Sequence, residues 1–255
     1  MVDGLRLNYE TVGEGPTVML LHGWGGCIAS MAPIQQMLSH KYQVLSVDLP
    51  GFGRSERPPT TWSSDDYGRC IAELAVQLGV ERFCAIVGHS FGGKVAICVA
   101  VRRPDAVGSL ILVGTPGIRL PLSGQAKRRI AGVKMARRAS RFLPAPLREA
   151  LADRLSRLGS DDYRNAGDMR AILVRVVNED LRGLLPMISP QTLLVWGEQD
   201  DAAPLPVGKA MERLIPGAGL VVLSKSGHFP YLDEPRAFSA VVHSFLASVC
   251  AGGAS

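Results

Sequence analysis

Short apolar runs recur along the chain at 17–21 (TVMLL), 42–47 (YQVLSV), 83–87 (FCAIV), 109–113 (SLILV), 191–196 (QTLLVW) and 220–223 (LVVL). Each is too short for a helix and bounded by polar or turn residues, so each predicts a buried strand. Between them the period changes. In 66–78, Ile71, Leu74, Ala75 and Leu78 share one helical face, and Gly79 follows as a C-cap. In 235–249, Pro235 opens a helix whose stripe is Phe238, Val241, Val242, Phe245, Leu246 and Val249. The first residues, MVDGLRLNYETVGEG, alternate Leu5, Leu7 and Tyr9 with polar positions. They predict a further strand and not the apolar stretch of a signal peptide. Continuous apolar strands alternating with helices imply an α/β domain: a mostly parallel sheet with helices on both faces. Ligands of such sheets bind beyond the C-terminal strand ends.

From about residue 117 to residue 186 the strand signal stops. Leu147, Leu151, Leu155 and Leu158 are helically spaced over 145–158, and Met169, Ile172, Leu173, Val176 and Val177 over 168–177. Pro121, Pro144, Pro146, Gly159 and Pro186 punctuate the segment. This predicts a helical cap, 117–186, inserted into a core made of 1–116 and 187–255. Charge sets the same stretch apart. Between Arg119 and Arg182 there are fifteen Lys or Arg against seven Asp or Glu, whereas the rest of the chain carries a net negative charge.

A chain of 255 residues is long enough to bury a core and a pocket without disulfides or metals. No run reaches the length of a membrane span. Cys27, Cys70, Cys84, Cys98 and Cys250 are scattered and contain no C-x-x-C pair, which points to reduced thiols and a cytoplasmic location.

The chemistry centres on VGHSFGG at 87–93, between a predicted strand and a predicted helix. Gly88 and Gly92 let strand and helix close around Ser90, whose hydroxyl then projects from a strained turn. The pattern is the G-x-S-x-G nucleophile elbow. The same glycines also suit a turn that only packs a helix on a sheet. A serine hydroxyl needs a base, and the chain has five histidines. His22 and His89 lie in tight backbone motifs beside the sheet, His40 follows a helix at the other side, and His243 falls off the stripe of the last helix. His228, on a loop just after a strand, is the candidate base. The acid that orients it should follow a strand and precede it, and WGEQDD offers Glu198, Asp200 and Asp201.

With LLHGWGG, DLPGFGRS, GHSFGG, LLVWGEQD and SGHFPYLDEP in this order, the chain resembles the α/β-hydrolase superfamily over nearly its full length. The resemblance implies the α/β-hydrolase fold, a serine triad and no cofactor or metal. Its acid is the Asp of a Gly-x-x-Asp turn, here Asp200, with Asp201 as the neighbouring alternative. Asp48 is a second choice, because some members move the acid to that strand end; its other reading is a carboxylate that fixes the following loop. The H-G-W-G stretch resembles the family's oxyanion loop, which makes Trp24 N–H and Phe91 N–H the expected donors. His22, Gly23, His89 and Phe229, with the cap cations Arg164, Arg170 and Arg175, are the candidate pocket residues.

The implied activity is carboxylic ester cleavage of short to medium acyl groups. Ser90 stands where epoxide hydrolases and haloalkane dehalogenases of this fold use Asp. Carbon–carbon hydrolases of ring-cleavage dienoates share the triad and bind dicarboxylates through cap arginines, so they are an alternative, as are a perhydrolase side activity and a ligand sensor on the same fold. The expected partner is a small ester, anionic if the basic cap faces the entrance. Nucleic acid is not expected, since Phe142 and Tyr163 are the cap's aromatics and no recognition module is present. Contact with a membrane surface through the basic residues of 123–142 is the other use of that charge.

Overall fold

The computed structural model describes residues 1–121 apart from residue 3, residues 135 and 138, and residues 161–250. Among the described residues are seven strands: β1 (Tyr9–Val12), β2 (Thr17–Leu21), β3 (Gln43–Val47), β4 (Ala85–His89), β5 (Ser109–Val113), β6 (Gln191–Gly197) and β7 (Gly219–Leu223). They form one sheet in the order β1-β3-β2-β4-β5-β6-β7. β1 runs antiparallel to β3, and the other pairings are parallel. The mostly parallel α/β sheet read from the six apolar runs is therefore the sheet that forms. Its first strand begins later than the alternation suggested. Val2 and Leu5 instead bridge each other across Gly4, which has a φ of 78°, so the chain turns before it can extend.

Strand alternation separates two apolar layers. Val18, Leu20, Val44, Val87, Ile111, Val113 and Val195 share a core cluster with Ile34 and Leu38 of α1 (Ala32–Leu38) and with Phe238, Val242 and Leu246 of the C-terminal helix Pro235–Cys250. Met19, Leu21, Ile86, Leu110, Leu112 and Trp196, at the alternate strand positions, are also fully buried. On that side α2 (Ser64–Gln77) packs on α3 (Phe91–Arg102), and a Cβ at Gly68 would stand 2.5 Å from the Cys98 side chain, so glycine sets the spacing of the two helices. α2 starts where a capping box starts it: Ser63 Oγ accepts from Asp66 N–H, and the Asp66 carboxylate accepts from Ser63 N–H.

The chain divides into two units, residues 1–119 with 174–255 and residues 120–173. The stretch 174–186, assigned by sequence to the cap, thus falls in the larger unit. Its attachments explain this. The buried Lys94 amine of α3 donates to Val176 O at 2.5 Å and Glu179 O at 3.4 Å, and the Glu179 carboxylate accepts from Ser64 N–H at the start of α2. Within the smaller unit, a helix spans Asp161–Asn165, and Arg170 lies 5.1 Å above the Tyr163 ring. The helix expected at 145–158 lies outside the described residues, as does nearly all of 123–142.

Among the described residues no helix is long and apolar enough to cross a membrane. One expectation about sulfur is corrected. Cys27, Cys70 and Cys98 are thiols, but Cys84 is disulfide-bonded. Disulfides depend on distance in space, which cysteine spacing along the chain does not reveal.

Candidate active site

The elbow forms where β4 ends. Ser90 has φ 51° and ψ −113°, and among the described residues it is the non-glycine with positive φ. Such a conformation costs about 1–3 kcal/mol and persists because its surroundings over-determine it. A Cβ at Gly92 would lie 2.1 Å from Leu21 O, and one at Gly88 would lie 2.5 Å from Gly93 Cα. Glycine at both places lets β2, β4 and α3 close around the serine. Ser90 N–H is donated to Val113 O at 2.8 Å, and the residue stays partly exposed at the N-terminus of α3.

Asp200 and His228 meet beside the same strand end. Asp200 Oδ2 is 2.8 Å from His228 Nδ1, and the Asp200 carboxylate is completely buried. Its Oδ1 accepts from Ala202 N–H at 2.9 Å and Ala203 N–H at 2.8 Å. Gly114, next to the Val113 that holds Ser90, has φ 51°; a Cβ there would stand 3.0 Å from Asp200 Oδ2 and 3.2 Å from His228 Nδ1. The alternatives to Asp200 lie elsewhere. Glu198 and Asp201 are exposed. Asp48 is buried, but its oxygens accept from Ile28 N–H, Arg54 N–H and the Asn8 amide at 2.7–2.9 Å, which ties down the loops on either side of β3. The loop carrying His228 is itself anchored: Gly227 N–H donates to Asp233, and Lys225 N–H and Ser226 Oγ donate to Glu234, each at 2.8 Å. Those two acids belong to the LDEP stretch, whose anchoring role sequence reasoning had missed.

Trp24 N–H and Phe91 N–H, the expected oxyanion donors, have no acceptor among the described residues. The loop that presents Trp24 is fixed by His22. Its Nδ1–H donates to Gly23 O at 2.7 Å and its Nε2 accepts Leu49 N–H at 2.9 Å. His22 is fully buried, and burial holds its pKa below the ordinary value. With both nitrogens engaged it fastens the loop. Gly23 is buried too, and a Cβ there would be 2.8 Å from His89 Nδ1.

His89 points from the elbow to the base loop, where its Nε2 lies 2.9 Å from His228 O. Its ring is 4.8 Å from the His228 ring and 4.9 Å from Phe229. Burial, reinforced by His228, pushes its pKa down to about 4. Phe229 remains 44% exposed, which suits a rim position.

Aromatic rings wall the other flank. Trp24 packs edge-on against Phe52 at 4.8 Å and Phe91 at 5.5 Å, and Tyr67 meets Phe91 at 5.0 Å. Phe52 comes from DLPGFGRS and Tyr67 from α2, so four segments contribute; their sequence signal was limited to aromatics next to glycines. Of the cations expected in a cap, Arg175 donates to Thr61 O at 2.6 Å and Arg170 lies over the Tyr163 ring. Arg164 is exposed.

A seven-stranded, mostly parallel sheet with a strained serine elbow at the end of a central strand is the arrangement of α/β-hydrolases. The chain belongs to the alpha/beta hydrolase family, which it matches over residues 18–241, and it is a hydrolase of that fold. It is 29% identical over 264 residues to the pimeloyl-[acyl-carrier protein] methyl ester esterase of Aeromonas salmonicida, covering 95% of this chain and 100% of that one. It is 27% identical to a 2-hydroxy-6-oxononadienedioate/2-hydroxy-6-oxononatrienedioate hydrolase of Cupriavidus pinatubonensis, covering 94% of this chain and 90% of that one. Among solved structures it is similar to the esterase EaEST from Exiguobacterium antarcticum, with a TM-score of 0.75 at 26% identity over 96% of this chain and 97% of that one.

Proposed function

We propose that this hydrolase cleaves carboxylic esters through an acyl-enzyme, with Ser90 as nucleophile, His228 as general base and Asp200 as the acid that orients it. The observation that carries the reading is the 2.8 Å contact from His228 Nδ1 to the buried Asp200 carboxylate, beside the strained Ser90. A carboxylate there accepts Nδ1–H, which leaves Nε2 bare as a base. Ser90 Oγ attacks the ester carbonyl carbon while its proton passes to Nε2. The resulting oxyanion is held by Trp24 N–H and Phe91 N–H, each worth about 3 kcal/mol. The tetrahedral species collapses as the alkoxide leaves with the proton from Nε2. Water then attacks the acyl-enzyme by the same route and frees the acid.

The esterase relatives support a small ester substrate, and the rings of Trp24, Phe52 and Phe91 suit a short to medium acyl chain. The excess of Lys and Arg between residues 119 and 182 favours an anionic ester, whose capture salt should weaken. No cofactor enters the scheme. The Cupriavidus relative supports a second reading, hydrolysis of a carbon–carbon bond in a dienoate. A panel of p-nitrophenyl esters and ring-cleavage dienoates separates the two. A fluorophosphonate probe should label Ser90, and Ser90→Ala should abolish labelling and turnover with the fold intact. Turnover surviving in the purified Ala variant refutes the assignment.

A further inference from the structure

We propose that His89 is a positioning residue: it ties the base loop to the nucleophile elbow and so sets the reach from His228 to Ser90. This rests on the triad reading above. His89 is one residue before Ser90, on the last position of β4, while His228 arrives on a loop 139 residues away. Since the His228 carbonyl is an acceptor, His89 Nε2 carries the proton and donates it across 2.9 Å. The bond grips the backbone of the base, and the Asp200 carboxylate grips its ring. Two separate fastenings on one residue fix both where it sits and how it is turned.

The opposite edge of the His89 ring faces the oxyanion loop. At Gly23 there is room for a hydrogen but not a methyl group, because a Cβ would be 2.8 Å from His89 Nδ1 and 3.3 Å from Ser90 Cβ. One imidazole therefore lies between the two loops that the reaction needs at a fixed spacing. Its surroundings also keep it uncharged. It is almost fully buried, and the titratable groups that face it are His228, Asp200 beyond it, His22 on the oxyanion loop and Tyr231, whose ring is 5.4 Å away. A neutral His89 gives His228 a dipole to lean on without a second cation beside the imidazolium that forms during turnover. Aligned groups lose on the order of 100-fold in rate when displaced by about 1 Å.

The test compares His89→Leu, which fills the space without a donor, with His89→Gln, whose amide can still donate to the His228 carbonyl. Both are assayed in the full chain with a p-nitrophenyl ester. His89→Leu should lower kcat by about 100-fold with KM within about threefold, and His89→Gln should restore most of the loss. Equal losses in the two variants, or full kcat in His89→Leu, overturn the role. The wild-type protein supplies a check that needs no variant: nitrogen-15 NMR should show His89 neutral and protonated on Nε2 from about pH 5 to 9, and a proton on Nδ1 overturns the proposal. Turnover that survives Ser90→Ala overturns the triad reading along with it. Turnover that needs Ser90 but ignores His89→Leu overturns the role of His89 alone.

Discussion

Replacing Asp200 by Asn changes one atom, and the surroundings of that atom dictate the result. In the native carboxylate, Oδ1 accepts two backbone N–H groups, from Ala202 and Ala203, and Oδ2 faces His228 Nδ1. An asparagine has one oxygen and one NH2. If the NH2 took the Oδ1 place it would point donors at two donors, at a cost of about 1–3 kcal/mol for each buried group left unsatisfied. The amide therefore keeps its oxygen there and turns its nitrogen toward His228. Nδ1 must then accept, the ring proton moves to Nε2, and Nε2 can no longer take the Ser90 proton in the proposed mechanism. The same change loses the counter-charge for the imidazolium. A triad acid converted to its amide costs about 10⁴-fold in kcat, or about 5.5 kcal/mol of transition-state stabilisation. KM should move little, because Asp200 is buried and touches His228 instead of substrate. Asp200→Ala, which imposes no tautomer, should lose no more than Asn. The assay is steady-state ester hydrolysis with thermal melting alongside. A loss below about 100-fold in the Asn variant, at unchanged stability, refutes the reasoning.

Asp48→Asn should act on stability and not on chemistry, lowering Tm while kcat stays within a few-fold, since its carboxylate serves Ile28, Arg54 and Asn8. Kinetic collapse without a Tm change would show that the acid lies on β3. Gly92→Ala should give little soluble protein, because its Cβ would fall 2.1 Å from Leu21 O; a normal melt refutes the close approach. Acid should destabilise the fold through His89. Its pKa of about 4 lies below the 6.5 of an unfolded histidine, so the unfolded chain binds the extra proton in between. Stability is therefore full above about pH 6.5 and falls toward pH 4 by up to about 3 kcal/mol. Denaturant titrations across that window should flatten in His89→Gln, and an unchanged slope would refute the link.

The sheet was legible because six of its strands, β2 to β7, lie in near-continuous apolar runs, and five of those are buried along nearly their whole length, the mark of strands covered on both faces. The elbow was legible for a related reason: glycines at 88 and 92 answer a steric demand that few other residues meet. β1 was placed less well, since an edge strand with three exposed residues carries little hydrophobic signal. Sequence places the end of the cap at Pro186, whereas the larger unit already takes in residues from 174, because proline marks a break in helix and not a change of neighbour. Among the residues that bind 174–182 to the larger unit is Lys94, a single charge in the apolar run FGGKVAICVAV, and its meaning depends on carbonyls 82 and 85 residues away. Its burial, which holds the amine below its ordinary pKa, is tolerable because those carbonyls replace water.

Histidine shows most clearly what sequence order withholds. Elimination on local context separated His228 from the rest, yet it could not say what the others were for. His22 and His89 each use ring nitrogens to hold backbone, one between the loop that carries Trp24 and the loop after β3, the other between the elbow and the loop of His228. Burial lowers the pKa of both. That matters to the chemistry, because a histidine that bound a proton in either place would lose an acceptor nitrogen or add a cation next to the base. Both motif histidines thus serve as uncharged fastenings, and the motifs H-G-W-G and G-H-S-F-G carry loop geometry as much as they carry the proposed nucleophile. The discriminating comparison is between His22 and His89 themselves. His22→Leu should weaken the oxyanion loop and so depress kcat for esters while leaving the Asp200–His228 contact intact, whereas His89→Leu should disturb the base. A variant pair with identical pH profiles and identical kcat losses would merge the two roles into one.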